Sequence, residues 1–532
     1  MQMTGNTRLD QKESLFKDLI EQVMQGTRNP EDIYEVAAVM ESMGWNDALV
    51  NETFGAEDIF DLAQDVWDAI QRQLLVMPVS HTESVSPLDY FIRVLRSFIR
   101  GAIFALPMAV SVLSMLTLRF SLWSYEYLSL ENATSISIGT ILSFMVVGGF
   151  TQAIARRGYM YLGIGYVNMA RQSTYYFVKL GYLVCLITAG FYLLFNFAFS
   201  IYPWRMTLIT ILYLLFLSGI WLSVTILYIL QKELTFTGLI VGGIALVFVL
   251  FRVLKINIII SQLISVAIVA LASMAIAHVT FIRAERKMEK GISPTLPRLS
   301  ITLYTSLPYF AYGFLYFTLI DIDRVIAWST NNVYMPYFIW FRGEYELGLD
   351  FALLVLIFPM GLVEVVVNEL MTNLVAHQRN FMALDAGIMN QMYVSFYKKR
   401  YVFVAIFSLL NAVLLYWGIN ALTTNHFITL KVFADQTTFF VFVWAVIAYS
   451  MLAVALMNSL ILFCLSQPHM VSNAILIALI INVLVGFILS RWFFYYWAVI
   501  GLFVGCLVFT ILTTQRVLQV LRNLDYYLYA AL

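Results

Sequence analysis

The sequence predicts an all-α polytopic membrane protein, with about twelve transmembrane helices in two six-helix bundles and a small α-helical cytoplasmic N-terminal domain. Hydrophobic residues make up 61% of the 532 residues and charged residues 12%, with a mean hydropathy of +0.81. This composition excludes a soluble globular protein. Apolar stretches long enough to cross a hydrocarbon core about 30 Å thick recur about twelve times. A short motif also occurs twice, in the first of these spans and in the seventh.

Residues 1–75 are predicted to form a separate cytoplasmic domain whose charge is opposite to that of the rest. Residues 1–86 contain five Lys or Arg against sixteen Asp or Glu, a net charge of −11, so the remaining chain carries +11. Apolar residues recur at helical spacing from Leu15 to Val23 and from Ile59 to Ile70, as in amphipathic helices that pack together. We expect three or four helices, which either serve only as an acidic solvated bundle or dock a cytoplasmic partner.

Residues 76–100 are predicted to be a linker and an interfacial helix. After the polar segment VMPVSHTESVSP, the stretch PLDYFIRVLRSFIRG places apolar residues on one side and three Arg mostly on another. This pattern fits a helix that lies on an anionic inner leaflet. No cleavable signal is expected, because residues 1–86 are polar and acidic rather than a short basic segment followed by an apolar run.

The predicted spans divide into a first bundle, residues 101–290, and a second bundle, residues 291–532. Lys and Arg mark the cytoplasmic connections of membrane proteins. If the N-terminus is inside, the inner connections hold nineteen of these residues, and the outer connections and span ends hold eight. Both termini are therefore predicted to be cytoplasmic. The spans begin near residues 102, 133, 175, 204, 235, 258, 306, 347, 400, 437, 471 and 495.

The repeated motif relates the two bundles. Leu106-Pro107 opens a span that closes with RFSLWS at 119–124, and Leu307-Pro308 opens one that closes with RVIAWS at 324–329. Both endings have Arg, three residues and then Trp-Ser, although the spacing from Pro to Arg differs by four residues, about one helical turn. Two related six-helix bundles around a central site are common in secondary transporters. The repeat therefore favours a transporter.

The seventh span contains the densest set of charges in the apolar part of the chain, Asp321, Asp323 and Arg324. Charges inside a span are costly and are frequently functional. Asp321 and Arg324 can pair on one helix face, whereas Asp323 points about 200° away and needs another partner. The excess negative charge predicts that a cation, a proton or a basic substrate completes the site. The alternative is a structural salt bridge that locks the two bundles at the outer membrane face.

Arg119 occupies the matching position in the first span, with no acid beside it before Glu126. An Arg without a carboxylate partner would suit a phosphate or another anionic group if it faced a cavity. The alternative is that its side chain snorkels to the outer head groups.

The eighth span offers a second candidate site. Glu364 and Asn368 share a helix face at i,i+4, and Pro359 with Gly361 is expected to kink or open the helix just before them. A carboxylate beside a broken backbone suits an ion or a proton. The alternative is a helix end near the cytoplasm, where Glu364 is simply exposed to water.

Motifs for nucleotide binding and hydrolysis are absent from the sequence, including G-x-x-x-x-G-K-[ST], G-x-S-x-G and H-E-x-x-H. The three cysteines, Cys185, Cys464 and Cys506, all fall inside predicted spans and offer no disulfide framework or zinc spacing. The sequence predicts a transporter rather than an enzyme, with no metal, cofactor or nucleic-acid partner.

Three further segments are informative: GFTQAIARRGYMYL at 149–162, FLYFTLIDIDRVIAWS at 314–329 and EYELGLDFALLVLIFPMGLVEVVV at 344–367. They resemble the Pel-type exopolysaccharide exporter branch of the multidrug/oligosaccharidyl-lipid/polysaccharide exporter superfamily. The resemblance implies an exporter of the bacterial cytoplasmic membrane that alternates access around a central cavity. It also implies a cytoplasmic glycosyltransferase and small inner-membrane synthesis subunits as partners. The positions it carries over are Asp321, Asp323, Arg324, Asp350 and Glu364.

The acidic N-terminal domain departs from that family and predicts direct tethering of the synthase by residues 1–86. Three functions remain open. The protein exports or flips a polysaccharide or lipid-linked saccharide, or it is a cation-coupled drug or metabolite antiporter, or it is a non-transporting scaffold of a synthase complex.

Overall fold

The computed structural model divides the chain into two compact units, Met1–Tyr90 and Phe91–Leu532. Each unit is a set of α-helices, and no strand occurs among the residues that the structure describes. The described residues are 15–16, 18–20, 22–23, 32–76, 87–103, 106–286, 298–331, 337–378, 386–424, 433 and 435–529.

The N-terminal unit is built from short capped helices. Its three complete helices are α1 (Ile33–Ser42), α2 (Asp47–Phe54) and α3 (Ile59–Val76). The side chain of Asp32 accepts a hydrogen bond from the N–H of Glu35 at 2.8 Å, the usual way to satisfy the free donors of a first turn. Apolar faces of these helices bury a core together with helical residues near 19–23. Most of the predicted linker lies outside the described residues.

The larger unit contains the long apolar helices of a multi-pass membrane protein. The first bundle consists of α4 (Pro87–Ile103), α5 (Leu106–Leu118), α6 (Leu130–Gly163), α7 (Val167–Phe199), α8 (Trp204–Ile229), α9 (Glu233–Phe248) and α10 (Ile258–Arg286). The second bundle consists of α11 (Leu299–Trp328), α12 (Gly343–Leu353), α13 (Ile357–Gln378), α14 (Ala386–Thr424), α15 (Gln436–Cys464), α16 (Pro468–Trp492) and α17 (Ala498–Arg522), followed by the short α18 (Leu524–Tyr529).

These helices agree with about twelve predicted crossings. Among the described residues, ten helical segments are long and apolar enough to span a membrane, and the α4–α5 pair, bent by 54°, gives an eleventh if the pair is one span. The charged α11 is not one of these segments, but its 30 residues correspond to a length of about 45 Å, enough to cross a membrane. Several helices begin before their apolar stretch. The ninth span, predicted to begin near residue 400, belongs to a helix that starts at Ala386, because polar and basic turns continue the helix beyond the apolar segment.

Each bundle has its own hydrophobic core. One core joins apolar residues of α6 through α10 with Phe120 and Leu122, and the other joins residues of α11 through α17. The fold therefore places two helical bundles in one unit, as the repeated motif predicts.

The two bundles meet where α6 crosses α11. A Cβ on Gly313 would lie 2.2 Å from the carbonyl oxygen of Gly148, and a Cβ on Gly148 would lie 2.8 Å from the carbonyl oxygen of Gly313. Glycine allows this backbone contact because it has no side chain, a common feature of helix packing in membranes. The crossing fixes the relative position of the two bundles near the middle of both helices.

Polar contacts join the bundles on both sides of this crossing. Toward one end, Arg157 of α6 is buried and its Nε donates to Ser306 Oγ of α11 at 3.0 Å. Toward the other end, the N–H of Phe341 donates to Thr134 Oγ1 of α6 at 3.1 Å. The α6–α11 seam is therefore held by directional contacts as well as by glycine packing.

Candidate functional site

One guanidinium lies at the centre of a buried charge cluster in the second bundle. Arg324 of α11 is 9% exposed. Its Nε lies 3.6 Å from Asp321 Oδ1, its Nη2 lies 3.4 Å from Asp350 Oδ1, and its Nη1 donates to Glu346 Oε2. Three carboxylates from two helices therefore surround one positive charge.

Helical spacing explains why these side chains converge. Asp321 and Arg324 are three residues apart on α11, and Glu346 and Asp350 are four residues apart on α12, so each pair shares one helix face. The start of α12 lies beside the end of α11, where Arg324 of α11 contacts Glu346 of α12. The predicted pairing of Asp321 with Arg324 is confirmed. All of these groups belong to the second bundle, so the cluster is not a salt bridge that locks the two bundles together.

Asp323 completes the cluster from another direction. It is fully buried, at 0% exposure, and its Oδ2 accepts a hydrogen bond from the Tyr345 hydroxyl at 2.6 Å. The prediction that Asp323 points away from Asp321 and needs a partner of its own is therefore confirmed. On the neighbouring turn, Trp328 Nε1 donates to Glu346 Oε1 at 2.9 Å, which fixes the orientation of that carboxyl group.

The cluster contains more negative charge than its single guanidinium can balance. Asp321, Asp323, Glu346 and Asp350, if all ionised, would leave three uncompensated charges. Within the described part of the chain, Asp321 Oδ2 and Asp323 Oδ1 are buried without a hydrogen-bond partner. Ionised carboxylates in such a position cost several kcal/mol. The arrangement therefore favours the uptake of positive charge.

The carboxylates are distributed around the guanidinium rather than around a common point. No group of three His, Cys, Asp or Glu side chains that could hold a metal ion occurs among the described residues. Protons, which bind one carboxyl group at a time, fit this distribution.

Asp350 connects the buried cluster to open space. Its side chain is 57% exposed, whereas the side chains of Asp321 and Arg324 are each 11% exposed. Asp350 therefore lies at the exposed edge of the cluster, whereas Asp321 and Arg324 lie in its interior.

Arg119 does not have the environment expected of an anion site. It lies beyond the end of α5, with φ of 66°, and the N–H of Glu126 bonds to its carbonyl oxygen at 3.0 Å. This turn brings the Glu126 carboxylate to 3.5 Å from Arg119 Nε, and the guanidinium also donates to the Tyr127 hydroxyl. The expectation of an Arg without a carboxylate partner is wrong, because the chain folds back over seven residues.

Glu364 and Asn368 lie apart from the cluster. Fourteen residues separate Glu364 from Asp350, or about 20 Å along a helix at 1.5 Å per residue. Asn368 Nδ2 donates to Ser97 Oγ of α4 at 3.1 Å. A Cβ on Gly101 of α4 would lie 2.8 Å from Glu364 Cβ. The second candidate site is thus a crossing between α4 and α13, separate from the first.

The predicted break before Glu364 is present. A 3-10 turn, Leu354–Leu356, separates α12 from α13 and precedes Pro359 and Gly361. Asn411 of α14 donates to the carbonyl oxygen of Val355 at 2.7 Å, which satisfies a backbone group that the break frees. Asn411 is therefore an interhelical partner of the broken span.

The larger unit has the same overall arrangement as solved MATE transporters. The eukaryotic MATE transporter AtDTX14 superposes with a TM-score of 0.58 at 14% identity, covering 83% of this chain and 100% of that one. The Vibrio cholerae MATE transporter VcmN in the bent form gives 0.54 at 12% identity, covering 82% and 98%. A multidrug resistance MATE family transporter of the MOP superfamily, in an outward-facing conformation, gives 0.52 at 11% identity, covering 81% and 96%.

This chain has the MATE transporter fold. No family model matches the sequence, and no curated protein is significantly similar to it. In this MATE fold, the charge cluster occupies the first two crossings of the second bundle.

Sequence reasoning missed four members of the cluster: Trp328, Tyr345, Glu346 and Tyr449. Glu346 lies one turn before Asp350 in an apolar segment, and that i,i+4 spacing could have identified it. Tyr449 comes from α15, more than 100 residues away in sequence; it is fully buried, and its hydroxyl has no hydrogen-bond partner among the described residues. No local pattern could have placed it here.

Proposed function

We propose that this protein is a transporter of the cytoplasmic membrane that works by alternating access and couples transport to protons. The observation that carries the proposal is the surplus of carboxylates around Arg324, together with the MATE fold that surrounds it. When a carboxyl group of the cluster takes up a proton, its attraction to Arg324 weakens, and the packing of α11 against α12 changes. Because α11 also forms the seam with α6, such a change can reach the contact between the two bundles.

We propose a polysaccharide or a lipid-linked saccharide as the substrate, with a cytoplasmic glycosyltransferase and small inner-membrane subunits as partners. Support comes from the segments 314–329 and 344–367, which resemble Pel-type exporters and which also contain the acidic cluster residues. The acidic N-terminal unit, which folds around its own core, suits the docking of a synthase on the cytoplasmic side. This arrangement requires both termini to be cytoplasmic, as the distribution of Lys and Arg predicts.

The proposal is tested by measuring extracellular polysaccharide in a deletion strain. The strain is complemented with either the wild-type protein or the double variant Asp321→Asn plus Asp323→Asn. We expect polymer to be lost at matched membrane abundance, because the variant cannot take up protons at these positions. A Glu344→Gln control changes an exposed acid of α12 whose carboxylate bonds Tyr495 and leaves the cluster intact. Normal polymer in the double variant would favour a non-transporting scaffold.

The surplus of carboxylates also supports a second candidate, a cation-coupled drug or metabolite antiporter. Uptake of small cationic dyes into inside-out vesicles, which corresponds to efflux from cells, distinguishes the two. The antiporter is favoured if dye transport depends on an ion gradient and on Asp350, and if cells that carry an Asp350 variant still make normal amounts of extracellular polysaccharide.

A further inference from the structure

A polar cavity lies in the second bundle, at the end that the charge distribution predicts to be cytoplasmic. It has a volume of about 500 Å³ and is lined mainly by α14, with one residue from the end of α17. The α14 residues Gly387, Gln391, Ser395 and Lys398 recur at three- or four-residue spacing and therefore share one helix face. Arg522 closes the cavity from α17.

The polar groups of this cavity are mostly hydrogen-bond donors. Lys398 and Arg522 supply two positive charges from two helices, Asn390 and Gln391 supply amides and Ser395 a hydroxyl, and no Asp or Glu lines the cavity among the described residues. In the described part of the chain, neither cation forms a salt bridge. The nearby Arg400, by contrast, pairs with Glu369 at 2.6 Å. The two cavity cations are therefore available to an anion.

One acid, Asp525, bonds to the lining residue Asn390. Asn390 Nδ2 donates to Asp525 Oδ1 at 2.8 Å, and the N–H of Asp525 approaches Asn390 Oδ1 at 3.4 Å. This reciprocal pair joins α14 to α18 and occupies the carboxylate outside the cavity lining. A Cβ on Gly387, in the first turn of α14, would have no neighbour within 4 Å among the described residues, and the start of a long helix favours negative charge.

We propose that this cavity binds a phosphate group, carried by an anionic lipid head group or by a free phosphate compound. The ammonium and guanidinium groups bind phosphate oxygens by charge-assisted hydrogen bonds, and Gln391 and Ser395 add neutral donors. Basic cavities at the cytoplasmic ends of membrane helices commonly bind lipid head groups. The site is independent of the transport cluster.

Native mass spectrometry of the full-length protein in detergent, titrated with short-chain phosphatidylglycerol, tests the proposal. Lys398→Ala with Arg522→Ala is expected to weaken binding at least about tenfold, equivalent to about 1.4 kcal/mol. Lys399→Ala is the matched control, because it removes one charge from the next residue of the same helix without changing the cavity lining. Ser395→Glu, which keeps both cations and adds a carboxylate to the cavity, is expected to weaken binding similarly.

Titrations with glycerol phosphate and with inorganic phosphate identify the source of the ligand. Residue-dependent binding of phosphatidylglycerol alone assigns the site to a lipid, and equal dependence for the small phosphates assigns it to a soluble compound. The proposal is overturned if no phosphate ligand binds, or if the double variant and Ser395→Glu bind as wild type does. It is also overturned if Lys399→Ala weakens binding as much as the double variant, or if uncharged phosphatidylcholine shows the same residue dependence.

Discussion

The two bundles share a frame but differ in what they bury. Among the described residues, the first bundle buries one charged side chain, Arg157, which bonds across the seam to α11. The second bundle buries Asp321, Asp323, Arg324 and Glu346 inside itself. The two halves of the molecule therefore share a repeated architecture, whereas the buried carboxyl groups of the described residues all lie in the second bundle.

The matching motifs show how this difference arises. Arg324 lies one turn inside α11, where the helix holds its side chain toward α12. Arg119 follows the last residue of the much shorter α5 and pairs with Glu126 in the loop. The four-residue difference in spacing between Pro and Arg thus moves the same residue type from a helix interior to a surface turn.

Replacing each of the two arginines is expected to give the largest difference in stability between the two bundles. Arg324→Met is expected to lower the free energy of unfolding by about 3 to 5 kcal/mol, because it leaves several buried carboxyl groups without their cation. Arg119→Met removes a partly exposed pair and is expected to cost no more than about 1 kcal/mol. Heating purified protein and measuring the monodisperse fraction by gel filtration ranks the variants by apparent melting temperature, and Arg324→Met is expected to show the much larger decrease. Equal losses would contradict the distinction between the two sites.

The glycine crossing tests how tightly the bundles are joined. Gly313→Ala places a Cβ against the backbone of Gly148 and is expected to destabilise the protein by about 1 to 3 kcal/mol. Gly238→Ala is the control, since a Cβ there meets nothing within 4 Å, and it is expected to be neutral or slightly stabilising. The same thermal assay applies. If Gly313→Ala left stability unchanged, the close contact between the backbones of α6 and α11 would not be needed to join the bundles.

The broken crossing is a further difference between the halves, because α6 runs unbroken for 34 residues whereas α12 and α13 are separated by a 3-10 turn. Asn411→Ala removes the donor to Val355 at this break and is expected to cost about 1 to 3 kcal/mol. Asn420→Ala, on an exposed position of the same helix, is expected to change stability by less than about 0.5 kcal/mol. Identical melting curves for the two variants would show that the bond from Asn411 to Val355 does not stabilise the break.

Apolar length and periodicity predict most of the fold, since each crossing must contain a long apolar stretch. The seventh crossing is predicted from its apolar stretch near residue 306, although its charges lower its hydropathy. The site is only half predictable. Asp321 and Arg324 pair within one helix, but Tyr345 and Tyr449 reach the cluster through the packing of three helices, which no local spacing reveals. The partner of Arg119 is not predicted, because a turn outside the helix supplies it.

Infrared difference spectroscopy of the purified protein tests the central claim most directly, because protonated and ionised carboxyl groups absorb separately. At neutral pH the account predicts a band from protonated carboxyl groups that loses intensity in Asp321→Asn, Asp323→Asn or Glu346→Gln. It predicts no change in Glu126→Gln, which alters the ion pair of the first motif. Spectra in which the cluster variants and wild type superimpose in this band would mean that the cluster holds no protons and would contradict the proposed coupling.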